Sequence, residues 1–207
     1  MHIHRDAVVT RLGDVISGRL KLVLYACSND VKRSLPPHLD RIPLYNEVFV
    51  ISQFWGTGVF HRMVEIVPRI VLFVDFLKAN PGIRILAPEV GGRLAQLLGI
   101  IGLERLRLIS GVARANIVYQ PRSTRCGFPN VQEVQTLSQL YHRYIERSFP
   151  RQPRKRLILI RRSTSRRFSE QREIEAALKR AAADFNVTYT RFIDNPTPSL
   201  NETMTQY

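Results

Sequence analysis

The run Leu157-Ile158-Leu159-Ile160, followed after a short loop by a helical pattern, constrains this chain more than any other stretch. Four consecutive apolar residues have the length of a strand covered on both faces. After Arg161 to Phe168, Ser169 is placed to cap a helix, with Glu170 and Glu173 in the first turn, where the helix dipole favours negative charge. Ile174, Ala177, Leu178, Ala181 and Ala182 then recur on one helical face. Strand, loop and helix in this order build parallel α/β sheets, which bind ligands outside the carboxyl ends of their strands. Here the loop holds Arg161, Arg162, Arg166 and Arg167, with Ser163, Thr164 and Ser165 between them. Guanidinium groups fork onto phosphate oxygens, so a diphosphate is a natural guest, and a solvated basic turn is the plainer alternative.

Upstream, the same alternation recurs. Leu20 to Ala26 reads as a first strand and Glu47 to Ile51 as a second. Ser52 to Gly58 forms a loop with the only tryptophan, Trp55, and Thr57 is placed to cap a helix from Val59 to about Lys78. Pro68 kinks that helix, since it cannot donate to the carbonyl of Val64. Ile83 to Ala87, Arg105 to Ile109 and Asn116 to Tyr119 read as further strands, and Arg93 to Leu98 as a short helix. Pro121 to Pro129 is a long basic loop, and Val131 to Phe149 a helix. The pattern predicts an α/β fold with a mostly parallel sheet.

Two prolines and a basic run at 150–155 mark a linker, so the expected domains are 1–150 and 151–207. In the second, a strand near Val187 to Ile193 follows the first helix, and Ser199 and Glu202 have the spacing of a capping box. Two strands, one helix and a freshly capped second helix do not close a sheet, which reads as truncation at the carboxyl end.

The formal charge of +14 implies attraction to polyanions, whether nucleic acid, anionic lipid or phosphorylated small molecules. Two cysteines, Cys27 and Cys126, exclude a disulfide scaffold. The amino terminus lacks a secretory signal, and the apolar stretch Val64 to Leu77 carries Glu65, Arg69 and Asp75, too many charges to span a bilayer. The expectation is a soluble chain.

His61, Glu65 and Arg69 share one side of a helix, where a histidine or glutamate could take a proton from an attacking hydroxyl. The plainer reading is a polar stripe with a local Glu65–Arg69 ion pair. A metal site is not expected: His2 and His4 are terminal and read as mobile, the cysteines are isolated, and no Asp-x-Asp motif occurs. Walker and Gly-x-Gly-x-x-Gly loops and a Gly-x-Ser-x-Gly elbow are also missing.

Two stretches together resemble glycosyltransferase family 61, which includes plant xylan arabinosyl- and xylosyltransferases and animal protein O-linked N-acetylglucosaminyltransferases. The first is Phe54-Trp55-Gly56-Thr57-Gly58-Val59-Phe60-His61-Arg62-Met63-Val64-Glu65-Ile66-Val67-Pro68-Arg69, and the second is Leu157 to Glu170. Between them Ile85 to Pro88, Leu97 to Ile100 and Val118 to Pro121 fall in the family's order. The resemblance implies a GT-B-like architecture: a Rossmann-like first domain on the acceptor side and the beginning of a second Rossmann-like domain that binds a nucleotide sugar. It implies an inverting transfer to a glycan or glycoprotein hydroxyl, with the nucleotide sugar as co-substrate; the missing paired acids weigh against a metal cofactor. Arg162 and Arg166, with Arg161 and Arg167 as alternatives, would hold the donor diphosphate, and His61 or Glu65 would be the base.

Members of the family continue into a Gly-x-His-Gly-Ala motif and most carry an amino-terminal membrane anchor. Neither occurs here, so the chain reads as a fragment with little activity by itself. A full-length eukaryotic member would work in the Golgi or endoplasmic reticulum lumen, and otherwise the expectation is cytoplasmic. The rival function is a basic nucleic-acid-binding α/β protein, motivated by the charge and the cluster Arg151 to Arg167. No helix-turn-helix or RNA-recognition signature supports it, and nucleic acid is not an expected partner.

Overall fold

A computed structural model describes residues 1–18, 20–22, 38–122, 127–149, 156–161, 169–193, 199–200 and 202–203. The chain divides into two compact units, Met1–Tyr144 and Ile145–Tyr207. The linker expected at 150–155 lies outside the described residues, as do both cysteines.

Seven strands form the sheet of the first unit: β1 (His2–Val9), β2 (Val15–Ser17), β3 (Leu20–Leu22), β4 (Leu44–Val50), β5 (Arg84–Leu86), β6 (Arg107–Ile109) and β7 (Ala113–Gln120). Their order is β3-β2-β1-β7-β4-β5-β6. β4 pairs in parallel with both β5 and β7, and β5 with β6, whereas β1, β2 and β3 form an antiparallel wing joined to β7 through β1. The chain is thus an α/β protein whose large sheet has a parallel block and an added wing. That wing is a correction to the sequence reading, which began the sheet at Leu20. β1 reads His-Ile-His-Arg-Asp-Ala-Val-Val and buries only Ala7 and Val9 below one-tenth exposure, so its own pattern is weak. Pairing with β7, from His2↔Gln120 to Val9↔Ala113, is what makes it a strand.

The strands at the centre of the block are continuously apolar because both faces are covered. Val48, Phe49, Val50, Ile85 and Leu86 are fully buried. On one face Val48, Val50 and Leu86 join Ala7, Val9, Val15, Ala113, Ala115 and Val118 in a single cluster. On the other, Phe49 meets Phe73 of the helical segment at 5.5 Å between ring centres.

That segment is not one kinked helix. It runs as α1 (Val59–His61), a π-helical turn (Arg62–Ile66), α2 (Pro68–Val71) and α3 (Val74–Ala79). Proline has no N–H to continue the ladder, and the chain widens just ahead of it. Val67 N–H reaches back five residues to the carbonyl of Arg62 at 3.0 Å. Thr57 does not cap α1 either: the capping position is Gly58, with no side-chain hydrogen bond. Two regular helices complete this part of the chain, α4 (Gly92–Ile100) and α5 (Val131–Ser148), and the boundary between the units falls within α5.

In the second unit β8 (Arg156–Arg161) and β9 (Thr188–Ile193) pair in parallel, with α6 (Gln171–Asp184) between them in sequence. β8 is not covered on both faces as its apolar run predicts, since Ile160 is 48% exposed. Among the described residues α6 is the helix that packs on this strand pair, and its Ala182 is buried along with Phe192 of β9. Ser169 is not the cap of α6: Glu170 occupies that position, without a side-chain hydrogen bond. The expected capping box is formed, however. Glu202 N–H donates to Ser199 Oγ at 3.1 Å and Ser199 N–H to Glu202 Oε2 at 2.7 Å. Among the described residues no helix is long and apolar enough to cross a membrane.

Candidate functional site

Strands β4, β5 and β7 end side by side, as the pairs Val50↔Leu86 and Phe49↔Tyr119 require. The segments that leave this edge are the ones expected to carry ligand-binding groups in a parallel block. Gln53 lies just beyond β4, Glu89 beyond β5 and Gly127 beyond β7, and all three converge on the π-helical turn.

Glu65 is the hub. Its Oε2 accepts from Gln53 Nε2 and lies 3.0 Å from His61 Nδ1, while its Oε1 accepts from Gly127 N–H at 2.7 Å. Burial pushes this carboxyl upward, but the hydrogen bonds from Gly127, His61 and Gln53 outweigh it and hold Glu65 below the usual carboxylate range. The Glu65 carboxylate faces the Nδ1 side of the His61 ring and orients the imidazole. The histidine side chain is 23% exposed against 5% for the glutamate, so the pair presents its basic member outward.

Arg69 goes elsewhere than expected. It makes no side-chain ion pair with Glu65. Nε donates to the Glu65 carbonyl at 2.8 Å, and one terminal nitrogen donates both to the carbonyl of Ile51 at 2.9 Å and to Gln53 Oε1 at 2.8 Å. The guanidinium thus ties the end of β4 to the π-helical turn and orients the amide that in turn grips Glu65. The cost is desolvation, which lowers its pKa to about 10 against the opposing pull of Glu133 and Glu65. Glu133, in the first turn of α5, is buried and pushed upward, with Arg69 drawing it the other way. Arg62, also buried, pairs with Glu89 at 2.7 Å and donates to the Thr57 carbonyl at 2.8 Å, which pins the segment after β5 to the same turn.

His61 and Glu65 are therefore brought together. Arg162, Arg166 and Arg167 lie outside the described residues, and Arg161 closes β8 with its side chain likewise outside them. His2 and His4 are not a loose terminus: both belong to β1, and His4 Nε2 lies 3.1 Å from Gln120 Oε1. Among the described residues no group of three or more histidine, cysteine, aspartate or glutamate side chains is placed to hold a metal ion. Gln53, Gly127 and the Arg62–Glu89 pair were missed in the sequence. The only advance signal was Pro68, which forces the helix to widen where these partners meet.

No protein-family model matches the sequence, and no curated protein matches it.

Proposed function

We propose that the chain carries the acceptor-activating half of an inverting glycosyltransferase of GT-B-like architecture, with a nucleotide sugar as donor and a glycan or glycoprotein hydroxyl as acceptor. What supports the reading is the His61–Glu65 pair at the carboxyl edge of the parallel strands, with the glutamate held ionised and the histidine toward solvent. His61 Nε2 takes the proton of the acceptor hydroxyl, and Glu65 stabilises the resulting imidazolium. The hydroxyl oxygen attacks the anomeric carbon from the face opposite the diphosphate. The bond from that carbon to the phosphate oxygen breaks, and the nucleoside diphosphate leaves with the electron pair. Arg162 and Arg166, with Arg161 and Arg167 as alternatives, would meet the charge that builds on the departing oxygen.

Turnover of nucleotide-sugar donors by a full-length protein tests the assignment. His61→Ala lowers kcat by roughly 10²–10⁴-fold while donor affinity is kept. Arg162→Ala and Arg166→Ala weaken donor binding. Wild-type kcat in the first variant removes the base, and wild-type donor affinity in both arginine variants removes the diphosphate site. The competing nucleic-acid reading predicts instead a steep loss of oligonucleotide affinity with salt, without donor turnover.

A further inference from the structure

The segment that leaves β4 exposes three apolar side chains in close succession: Trp55 is 57%, Val59 64% and Phe60 56% exposed. Large apolar groups left together in water mark a surface with an occupant. The backbone beneath them is imposed. Trp55 has φ +61°, a region bulky residues seldom enter. Gly58 N–H donates to the Trp55 carbonyl at 2.9 Å, and Gly56 N–H to that of Gln53 at 3.2 Å. Gly56 is seated so closely that a Cβ there would come within 2.7 Å of Ile66 Cδ1 and 2.8 Å of Pro88 Cγ. The loop is clamped between the π-helical turn and the segment after β5, and its strain is held by packing.

Phe60 flanks the base, and Trp55 lies in the loop just ahead of it. Phe60 stands edge-on to His61 at 5.3 Å between centres, and Phe54 edge-on to Trp55 at 4.8 Å. A Cβ on Gly58 would lie 3.6 Å from the His61 ring and 3.2 Å from the Trp55 carbonyl, so tryptophan backbone and histidine ring meet across this glycine. In a chain with 31 lysines and arginines and 17 acidic residues, the stretches 51–60 and 127–132 carry no charge at all. Gly127, which opens the second of them, is the residue bonded to Glu65. The uncharged stretch 51–60 suits a neutral occupant.

We infer that Trp55 and Phe60 form the platform for a neutral sugar ring of the acceptor, whose C–H face stacks on the aromatic side chains while one hydroxyl meets His61. A sugar ring has both properties the surface asks for, an apolar face and hydroxyls at its rim. The inference deepens the glycosyltransferase reading and rests on it.

Trp55 is the only tryptophan, so its emission reports on this loop directly. Titration with neutral xylo-, cello- and chito-oligosaccharides gives a saturable change with at least one of them, reduced at least tenfold in affinity by Phe60→Ala, while uridine diphosphate affinity measured by calorimetry is unchanged. In turnover assays of a full-length protein Trp55→Ala raises the acceptor KM at least tenfold and leaves the donor KM and kcat near wild type. Both side chains are more than half exposed, and thermal melts of the two variants confirm that the fold is kept. Turnover with an unaltered acceptor KM in Trp55→Ala overturns the platform and leaves the glycosyltransferase reading standing. An oligosaccharide response without any donor binding or turnover does the reverse. Calorimetric binding of uridine diphosphate alone, lost in both variants, overturns the platform in favour of a nucleobase shelf.

Discussion

Glu65 and Glu175 are each one helical turn from a basic partner, His61 in one case and Lys179 in the other, at 3.0 Å and 3.2 Å. Both carboxyls are held below the usual range. The likeness ends there. Glu175 is partly buried on α6, where the Lys179 hydrogen bond does most of the lowering and Arg191 of β9 adds a contact at 3.5 Å. Glu65 is sunk among the ends of three strands and is lowered against the effect of its own burial, because it serves two further donors. Equal spacing along a helix thus yields a solvated ion pair in one unit and an organising centre in the other. What separates them is the number and kind of donors that each carboxylate serves.

The widest gap between the two regions is expected at Arg69. Arg69→Met leaves the carbonyls of Ile51 and Glu65 and the Gln53 amide without their donor, and strands Glu133 in the interior. A loss of about 3–5 kcal/mol in urea unfolding is expected. A loss no larger than that of a surface arginine would mean that the guanidinium is not the clamp described. Next comes Glu65→Gln, at about 2 kcal/mol at neutral pH, since the new amide sets N–H groups against Gln53 or His61.

The pH dependence sharpens this second point. A carboxyl whose pKa is lowered by folding stabilises above its unfolded value, and that stability is lost as pH falls through the folded value. The difference between wild type and Glu65→Gln should therefore shrink on acidification, and a constant difference in unfolding free energy down through the carboxylate range would break the assignment. Gly56→Ala is expected to cost about 1–3 kcal/mol by driving a methyl group into Ile66 and Pro88. A neutral outcome would mean the loop gives way, contrary to its clamped description. The smallest effect is Glu175→Ala, whose melting temperature should stay within about 1 °C of wild type. If it matches Glu65→Gln instead, burial is not what divides the two glutamates.

The same division separates what could be read in the sequence from what could not. Strands with their own apolar run were legible: Glu47 to Ile51 and Ile83 to Ala87 overlap β4 and β5. So was the capping box at Ser199 and Glu202, which is a purely local arrangement. β1 was not, because its strand character comes from a partner more than a hundred residues away. Grouping His61 with Glu65 needed only helical spacing. The destination of Arg69 needed the end of β4, and the state of Glu65 needed Gly127 beyond β7, neither of which spacing on one helix can reveal. Ser169 and Thr57 failed as caps for a related reason: a suitable residue type near a helix start does not fix the loop that must aim it. The arginines at 162, 166 and 167 lie outside the described residues.

The place of β1 has a consequence for synthesis on the ribosome. β1 emerges before β7, which it borders by pairing His2 with Gln120, and among the described strands it is the one that joins β7 to the wing. Until residues 113–120 have left the exit tunnel, β1 has an unpaired edge, and the parallel block lacks its junction to the wing. Completing the sheet is a long-range event, slow for reasons of chain entropy, and the nascent β1–β2 hairpin offers that bare edge to other chains meanwhile.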